Sequence, residues 1–343
     1  MRILRTAGLV VGLVAGVAAP AARAATAPPH LTDGYGLTVV SQPGWLDAAE
    51  RTFTFTVRTA AVPAYGVMPG QVSGEHVVMV TLPEDYDGST RYPVQYTFHG
   101  AGDHPDSARN KEIIERATAG VPLITVLPNG SGRGWYTNWV DGSQNWETFH
   151  LDQLIPFIDA NLSTIPSRDG RVISGHSMGG FGAFHYAEDR PDLFRYVGSF
   201  SGGLDLMSPA VRLAVTVTET SPLHGIPPVL PTAIFGPPVP PLDGVWRAES
   251  PAQHVESLRG MGIVMYAGNG GSLVLADPVQ WWIENRARRT AVTTARNLTR
   301  AGIPYEFVDY GDGSGWAPGC TGTHNDTECL QADMNHFVRL VMS

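Results

Sequence analysis

"RVISGHSMGGFGAF", residues 171–184, joins an apolar run to a helical pattern through Gly175-His176-Ser177-Met178-Gly179. The run "RVIS" reads as a buried strand, and "SMGGFGAFHYAEDRPDLF" has the apolar spacing of a helix. A serine between them, with glycine two positions away on either side, fits a sharp strand-to-helix turn that lifts its Oγ above a sheet. The small flanking residues let neighbouring backbones approach. The helix N-terminus aims N–H groups and a positive dipole end at negative charge forming there. G-x-S-x-G alone is a weak signal, because both residue types are common. Its place between a strand and a helix makes Ser177 a candidate nucleophile rather than an ornament of a βα turn.

Upstream, "GLTVVSQ", "RTFTFTVRT", "EHVVMVTLP" and "RYPVQYTFHG" read as strands, with "PEDYDGSTRYP" as a turn. From residue 105 helices and strands alternate. "PDSARNKEIIERATAG" is a helix, "VPLITVLPNG" a strand and "NWETFHLDQLIPFIDANL" an amphipathic helix. After the serine come the strands "YVGSFSG" and "GIVMYAGNG", a long helix over "VQWWIENRARRTAVTTARNLTRAG" and a last strand, "IPYEFVDYGDG". This order predicts an α/β fold: a mostly parallel central sheet with helices on both faces and an antiparallel N-terminal edge. Residues 204–258 interrupt the alternation with the Pro-rich "IPPVLPTAIFGPPVPPLDG". They read as an insertion between consecutive strands and a candidate lid.

The first 24 residues have the parts of an export signal: Arg2 and Arg5, the apolar "AGLVVGLVAGVAAP" and the small-x-small "ARA" ending at Ala24. Residues 25–343 then form one domain. Export makes Cys320 and Cys329, the only cysteines, a candidate disulfide that closes a short loop. The net charge of −9, with Lys111 the only lysine and no basic run, excludes a nucleic-acid partner. No stretch beyond the leader is long and apolar enough for stable membrane insertion.

A serine hydroxyl needs a base, and the base an orienting acid, following the nucleophile in the order Ser, acid, His. His324 and His336 lie late enough. His324 sits in the loop "GCTGTHNDTEC" after the last strand, whereas His336 lies in the helix-like "LQADMNHFVRL". His324 is therefore the expected base, and the disulfide would hold its loop. For the acid, Asp277, Glu284, Asp309 and Asp312 remain open, with Asp277 preferred by its place after a strand. One oxyanion N–H belongs to Met178, and the other to the loop His99-Gly100-Ala101-Gly102 in "YTFHGAGDHP". His99, Asp103 and His104 are not read as metal ligands, because that loop already has a role. No metal or cofactor is expected. Trp135, Tyr136 and Trp139 of "GRGWYTNW" either line the site or pack the loop, and His99 and His176 are further candidate pocket residues.

"YPVQYTFHG", "GHSMGGFGAF" and "GWYTNWVDGSQNWETF…LIPFIDANL" resemble the "putative esterase" family of α/β-hydrolases. That family takes in esterase D, carbohydrate esterases and secreted bacterial mycolyltransferases. "YAGNG", "WIENRAR" and "GTH" are similar to the last group. The resemblance runs from about residue 75 onward. It implies Ser177, Glu284 and His324 as the triad, and Ala101 and Met178 as oxyanion donors. Three positions depart from the mycolyltransferase pattern: His99 and Gly102 stand where an Asp and an Arg hold trehalose, and Asp326 where a Trp is usual. The expectation is a secreted serine esterase acting on a small-molecule, polysaccharide or lipid ester. Acyl transfer to a sugar or lipid alcohol is the alternative, and a binding protein on an inactive scaffold is the reading from another class.

Overall fold

The computed structural model describes residues 27–271 and 277–343. The leader assigned above to export lies outside them. Nine strands form one sheet in the order β1-β2-β3-β5-β4-β6-β7-β8-β9. They are β1 Leu37–Trp45, β2 Thr52–Thr59, β3 His76–Thr81, β4 Val94–Phe98, β5 Ile124–Pro128, β6 Arg171–His176, β7 Tyr196–Phe200, β8 Gly262–Gly268 and β9 Glu306–Gly311. The β1–β2, β2–β3 and β3–β5 pairs are antiparallel, and every later pair is parallel.

The expected turn between β3 and β4 does not make them neighbours, because β5 lies between them. The reason is burial. All five residues of β4 and of β5 are buried, so both are interior strands that need partners on each side.

Helices cover both faces. On one side lie α1 (Ala108–Ala117) and α7 (Thr327–Met342), whose Ile113, Met334, Phe337 and Val338 share a core with Val172, Phe200 and Tyr266. On the other lie α2 (Ile155–Asn161), α3 (Met178–Asp189) and α6 (Pro278–Ala301), packed through Phe157, Phe181, Phe184 and Leu298. The "WETF" segment enters α2 through a wide π-helical turn, Thr148–Leu154. Pro156 has no N–H to donate four residues back, which breaks the regular α-helical ladder there.

Residues 204–258 lie between β7 and β8 and contain two α-helices, α4 (Pro209–Thr220) and α5 (Gly244–Ala248), followed by two short 3-10 turns. The buried Arg133 guanidinium fastens this segment to the core, donating to the carbonyls of Glu219, Ser221 and Ile226. The parallel register matters most for the site. Gly175 of β6 pairs with Phe98 of β4, and His176 with Phe200 of β7. The carboxyl ends of three adjacent strands therefore meet where α/β sheets bind ligands.

Candidate active site

Ser177 links β6 to α3 with φ 56° and ψ −117°, a backbone region that L-residues rarely occupy. Close approach holds it there. A Cβ on Gly175 would lie 2.2 Å from the Gly179 carbonyl oxygen, and one on Gly179 would lie 2.2 Å from that of Phe98. The two glycines let the turn fold back on itself and press against the end of β4. The Ser177 N–H donates to the Phe200 carbonyl at 2.9 Å.

The Ser177 hydroxyl lies 2.7 Å from Nε2 of His324, and Nδ1 of that ring lies 2.8 Å from Oε2 of Glu284. A carboxylate can only accept, so Nδ1 carries the hydrogen and Nε2 accepts from the serine. Glu284 is fully buried on the second turn of α6, and its Oε1 accepts from the Ser201 hydroxyl at 2.8 Å and the Gly268 N–H at 2.6 Å. Both carboxylate oxygens are thus satisfied inside the protein.

Asp277 lies elsewhere. It is the exposed N-cap of α6, and its side chain accepts from the Val279 N–H at 2.7 Å. Asp309 pairs with Arg288, and Asp312 binds Ser314 in a turn. His336 sits on α7 with Nδ1 2.9 Å from the Tyr266 hydroxyl.

Against Ser177 lies the loop after β4. A Cβ on Gly100 would come within 3.3 Å of the Ser177 Cβ. Among the described residues the Ala101 and Met178 N–H groups donate to no other group. Met178 opens α3, where N–H groups have no helical partner. The loop is held in place from below. The Gly102 N–H donates to Gly132, and the Gly130 N–H donates to Nε2 of the buried His99, whose Nδ1 in turn reaches the Gly100 carbonyl at 2.9 Å. Burial lowers the His99 pKa, in keeping with this neutral tautomer.

His176 is buried as well, and its Nε2 donates to the His324 carbonyl at 2.9 Å. Burial first, and the neighbouring His324 second, push its pKa well below the usual histidine value. The strained serine turn and the His324 loop are thereby bonded through His176, the neighbour of Ser177.

Trp135, Tyr136 and Trp139 are buried and pack the loop. Tyr136 donates to the His99 carbonyl at 3.0 Å, Trp135 to Thr218 and Trp139 to Gly134. The cysteines are joined at 2.03 Å. Asp326 orders the same loop, accepting from Thr321 with one oxygen and from the Cys329 N–H with the other. Sequence reading missed Ser201, Gly268 and Arg133. Ser201 had one available signal, since "SFSGG" also ends a strand in a serine followed by glycines.

Residues 71–327 match the family described as "Putative esterase". The chain belongs to that family. "Esterase Rv1288" of Mycobacterium tuberculosis is 34% identical over 300 residues, which cover 84% of this chain and 60% of that protein. The chain thus spans less than two thirds of the length of this curated relative. "Diacylglycerol acyltransferase/mycolyltransferase Ag85A" of Mycobacterium leprae is 30% identical over 161 residues, 43% of this chain and 45% of that one. The crystal structure of Mycobacterium tuberculosis MPT51 superposes with a TM-score of 0.59 at 20% identity, covering 82% of this chain and 98% of that chain. The last match shows the α/β-hydrolase fold alone. The family match is what places the chain, among the putative esterases.

Proposed function

We propose that the chain is a secreted serine esterase that cleaves carboxylic esters through an acyl-enzyme. The observation that carries this reading is the unbroken hydrogen-bond chain from Ser177 through His324 to the buried Glu284. Ser177 attacks the ester carbonyl carbon while His324 takes its proton. The carbonyl electron pair moves onto oxygen, where the Ala101 and Met178 amides receive it. The tetrahedral adduct collapses, the bond to the alcohol oxygen breaks, and His324 returns the proton to that oxygen. Water repeats the sequence on the acyl-enzyme and releases the acid. Glu284 fixes the imidazole tautomer and balances the charge of the imidazolium.

Transfer to an alcohol instead of water has support in the likeness to Ag85A. Hydrolysis has more. His99, where resemblance places an Asp that holds trehalose, and Asp326, where it places a Trp, are spent on internal hydrogen bonds here. Export by the 1–24 leader agrees with the Cys320–Cys329 bridge.

The test is a fluorophosphonate probe together with p-nitrophenyl esters from acetyl to palmitoyl. The wild type labels and turns over, and Ser177→Ala does neither, losing about 10⁴–10⁶ in turnover. A variant that keeps a tenth of the activity overturns the mechanism. A wild type that never labels points to an inactive scaffold.

A further inference from the structure

Residues 209–242 carry two charged side chains, Arg212 and Glu219. Neither is a free surface charge. Arg212 is paired with Asp243 at 2.7 Å and also donates to the Pro238 carbonyl, and Glu219 is fully buried. α4 turns Pro209, Leu213, Val217 and Thr220 outward, a face without charge. Leu213 is 56% exposed and Val217 49%. Beyond the helix, Leu230 is 73% exposed, Val239 55% and Leu242 63%. Pro238 flanks Leu213 and Thr216 along one open groove of about 370 Å³, and the Leu242 N–H donates to Val239 just beyond it. Leu213 and Pro238 share this groove, and Val217 lies one turn along the same helix face, on a chain whose net charge is −9. Large contiguous apolar patches on soluble proteins mark interaction sites.

The backbone narrows the choice of partner. Eight prolines stand between residues 222 and 241, and each removes an N–H that would otherwise need an acceptor on leaving water. The exposed side chains of the segment are mostly Leu, Val and Pro, with Thr220, His224 and Thr232 among them. It lacks the exposed Trp, Tyr and Arg that anchor protein interfaces. Its one arginine, Arg212, lines the groove but is paired with Asp243 and largely buried, so it offers no free charge to a charged headgroup. The segment belongs to the rim of the candidate site. Ring atoms of His224 lie where a Cβ on Gly102 would be, 2.4 Å away at the nearest, and a Cβ on Gly132 would meet Ile226 at 2.4 Å. Arg133 fixes this stretch from beneath.

We propose that the 209–242 face docks onto a lipid surface and holds the site against esters presented there. This rests on the esterase reading above and adds the physical form of the substrate to it. Attraction is apolar, so it is insensitive to the sign of the headgroup.

Co-sedimentation with phosphatidylcholine vesicles, with and without anionic lipid, is the direct test. The wild type should pellet with both and remain bound in high salt, where surface electrostatics are screened. The double variant Leu213→Asp/Leu242→Asp should lower the partition coefficient roughly a hundredfold, about tenfold for each leucine kept out of the apolar phase. Val40→Asp, at an exposed position on β1 at the far edge of the sheet, should bind like the wild type. Turnover of soluble p-nitrophenyl acetate should be the same in all three, which separates this inference from the catalytic one. A wild type that hydrolyses p-nitrophenyl acetate but ignores vesicles overturns the docking proposal alone. Binding that survives the double variant, or is lost in salt, also overturns it. So does a wild-type dimer that the double variant converts to monomer without any vesicle binding, since the occupant is then a second copy.

Discussion

Two carboxylates compete for one hydrogen bond at the residue scale, and their surroundings decide between them. Glu284 gives one oxygen to His324 and the other to Ser201 and Gly268, so it is held in place from both ends. Asp277 caps the same helix from outside. Glu284→Gln keeps the volume but removes the charge and can favour the wrong tautomer, so turnover should fall about 10³–10⁴ with little change in KM. Asp277→Asn keeps a good cap and should stay within about tenfold. Steady-state kinetics on one ester at one pH distinguish them, and a crippled Asp277→Asn beside a normal Glu284→Gln would reverse the roles. His176→Phe is a subtler case. It keeps a ring but removes the donor to the His324 carbonyl, and so loosens the base without touching substrate. It should lower kcat roughly ten- to a hundredfold at nearly constant KM. A lower melting temperature with unchanged kcat would make His176 a packing residue only.

Legibility in the sequence differed sharply among these residues. The serine turn was readable because the residues it demands stand close together in the sequence: Gly175 and Gly179 are four apart, although the crowding at Gly179 comes from Phe98 at the end of β4. Contacts that fix the acid were not local. Ser201 and Gly268 reach Glu284 from the ends of β7 and β8, and only the strand order brings them together. Position after a strand pointed to Asp277, while resemblance pointed to Glu284, the carboxylate that touches His324.

Among the elements, α4 was missed for a physical reason. "VRLAVTVTET" is rich in β-branched residues, whose helix propensity is low, and its helix rests on burial of Val211, Val215 and Glu219. α6, by contrast, reads as a long helix in the sequence, and the structure closes it with Asp277 at its N-cap, Pro278 at its first position and Gly302 with φ 66° at its end. The loop carrying His324 is an element of another kind, tied by the disulfide, by Asp326 and by the bond from His176. The bridge spans nine residues, so in the chain-entropy picture it stabilises by about 2–3 kcal/mol. Reduction should therefore leave the protein folded at 25 °C yet cut turnover by a larger factor than the loss of folded protein. Parallel activity and circular dichroism measurements on reduced and oxidised samples test this. Activity that falls only in step with unfolding would reduce the bridge to a staple.

Over the whole molecule, buried ionisable groups set how stability depends on pH, and they divide by sign. His76 and His150 are buried beneath the site, where desolvation lowers their pKa values to about 4 and about 3, and His99 and His176 are lowered by the same cause. The unfolded chain takes up these protons near the ordinary histidine value of about 6.5, so each group costs stability as pH falls below that. Glu219 has the opposite sign. Desolvation raises its pKa to about 7, so the fold keeps a proton that the unfolded chain gives up near the ordinary carboxyl value. Its contribution is complete below that value and is lost as pH rises through about 7. Glu188 and Asp333, raised well above the usual range by burial, add to the alkaline loss. The two families overlap in a window of roughly pH 4.5–6.5, so thermal unfolding should show its maximum there and decline on both sides. Glu219→Gln isolates one arm of the curve. The amide oxygen can still accept from the Ile234 N–H, as Oε1 does now, and nothing remains to ionise. At pH 8 the variant should be more stable than the wild type by about 1–3 kcal/mol, and near pH 4.5 the two should coincide. A variant less stable at both pH values would mean that the second oxygen of Glu219, which has no partner among the described residues, tolerates a proton but not an NH₂ group. The alkaline decline would then belong to Glu188 and Asp333.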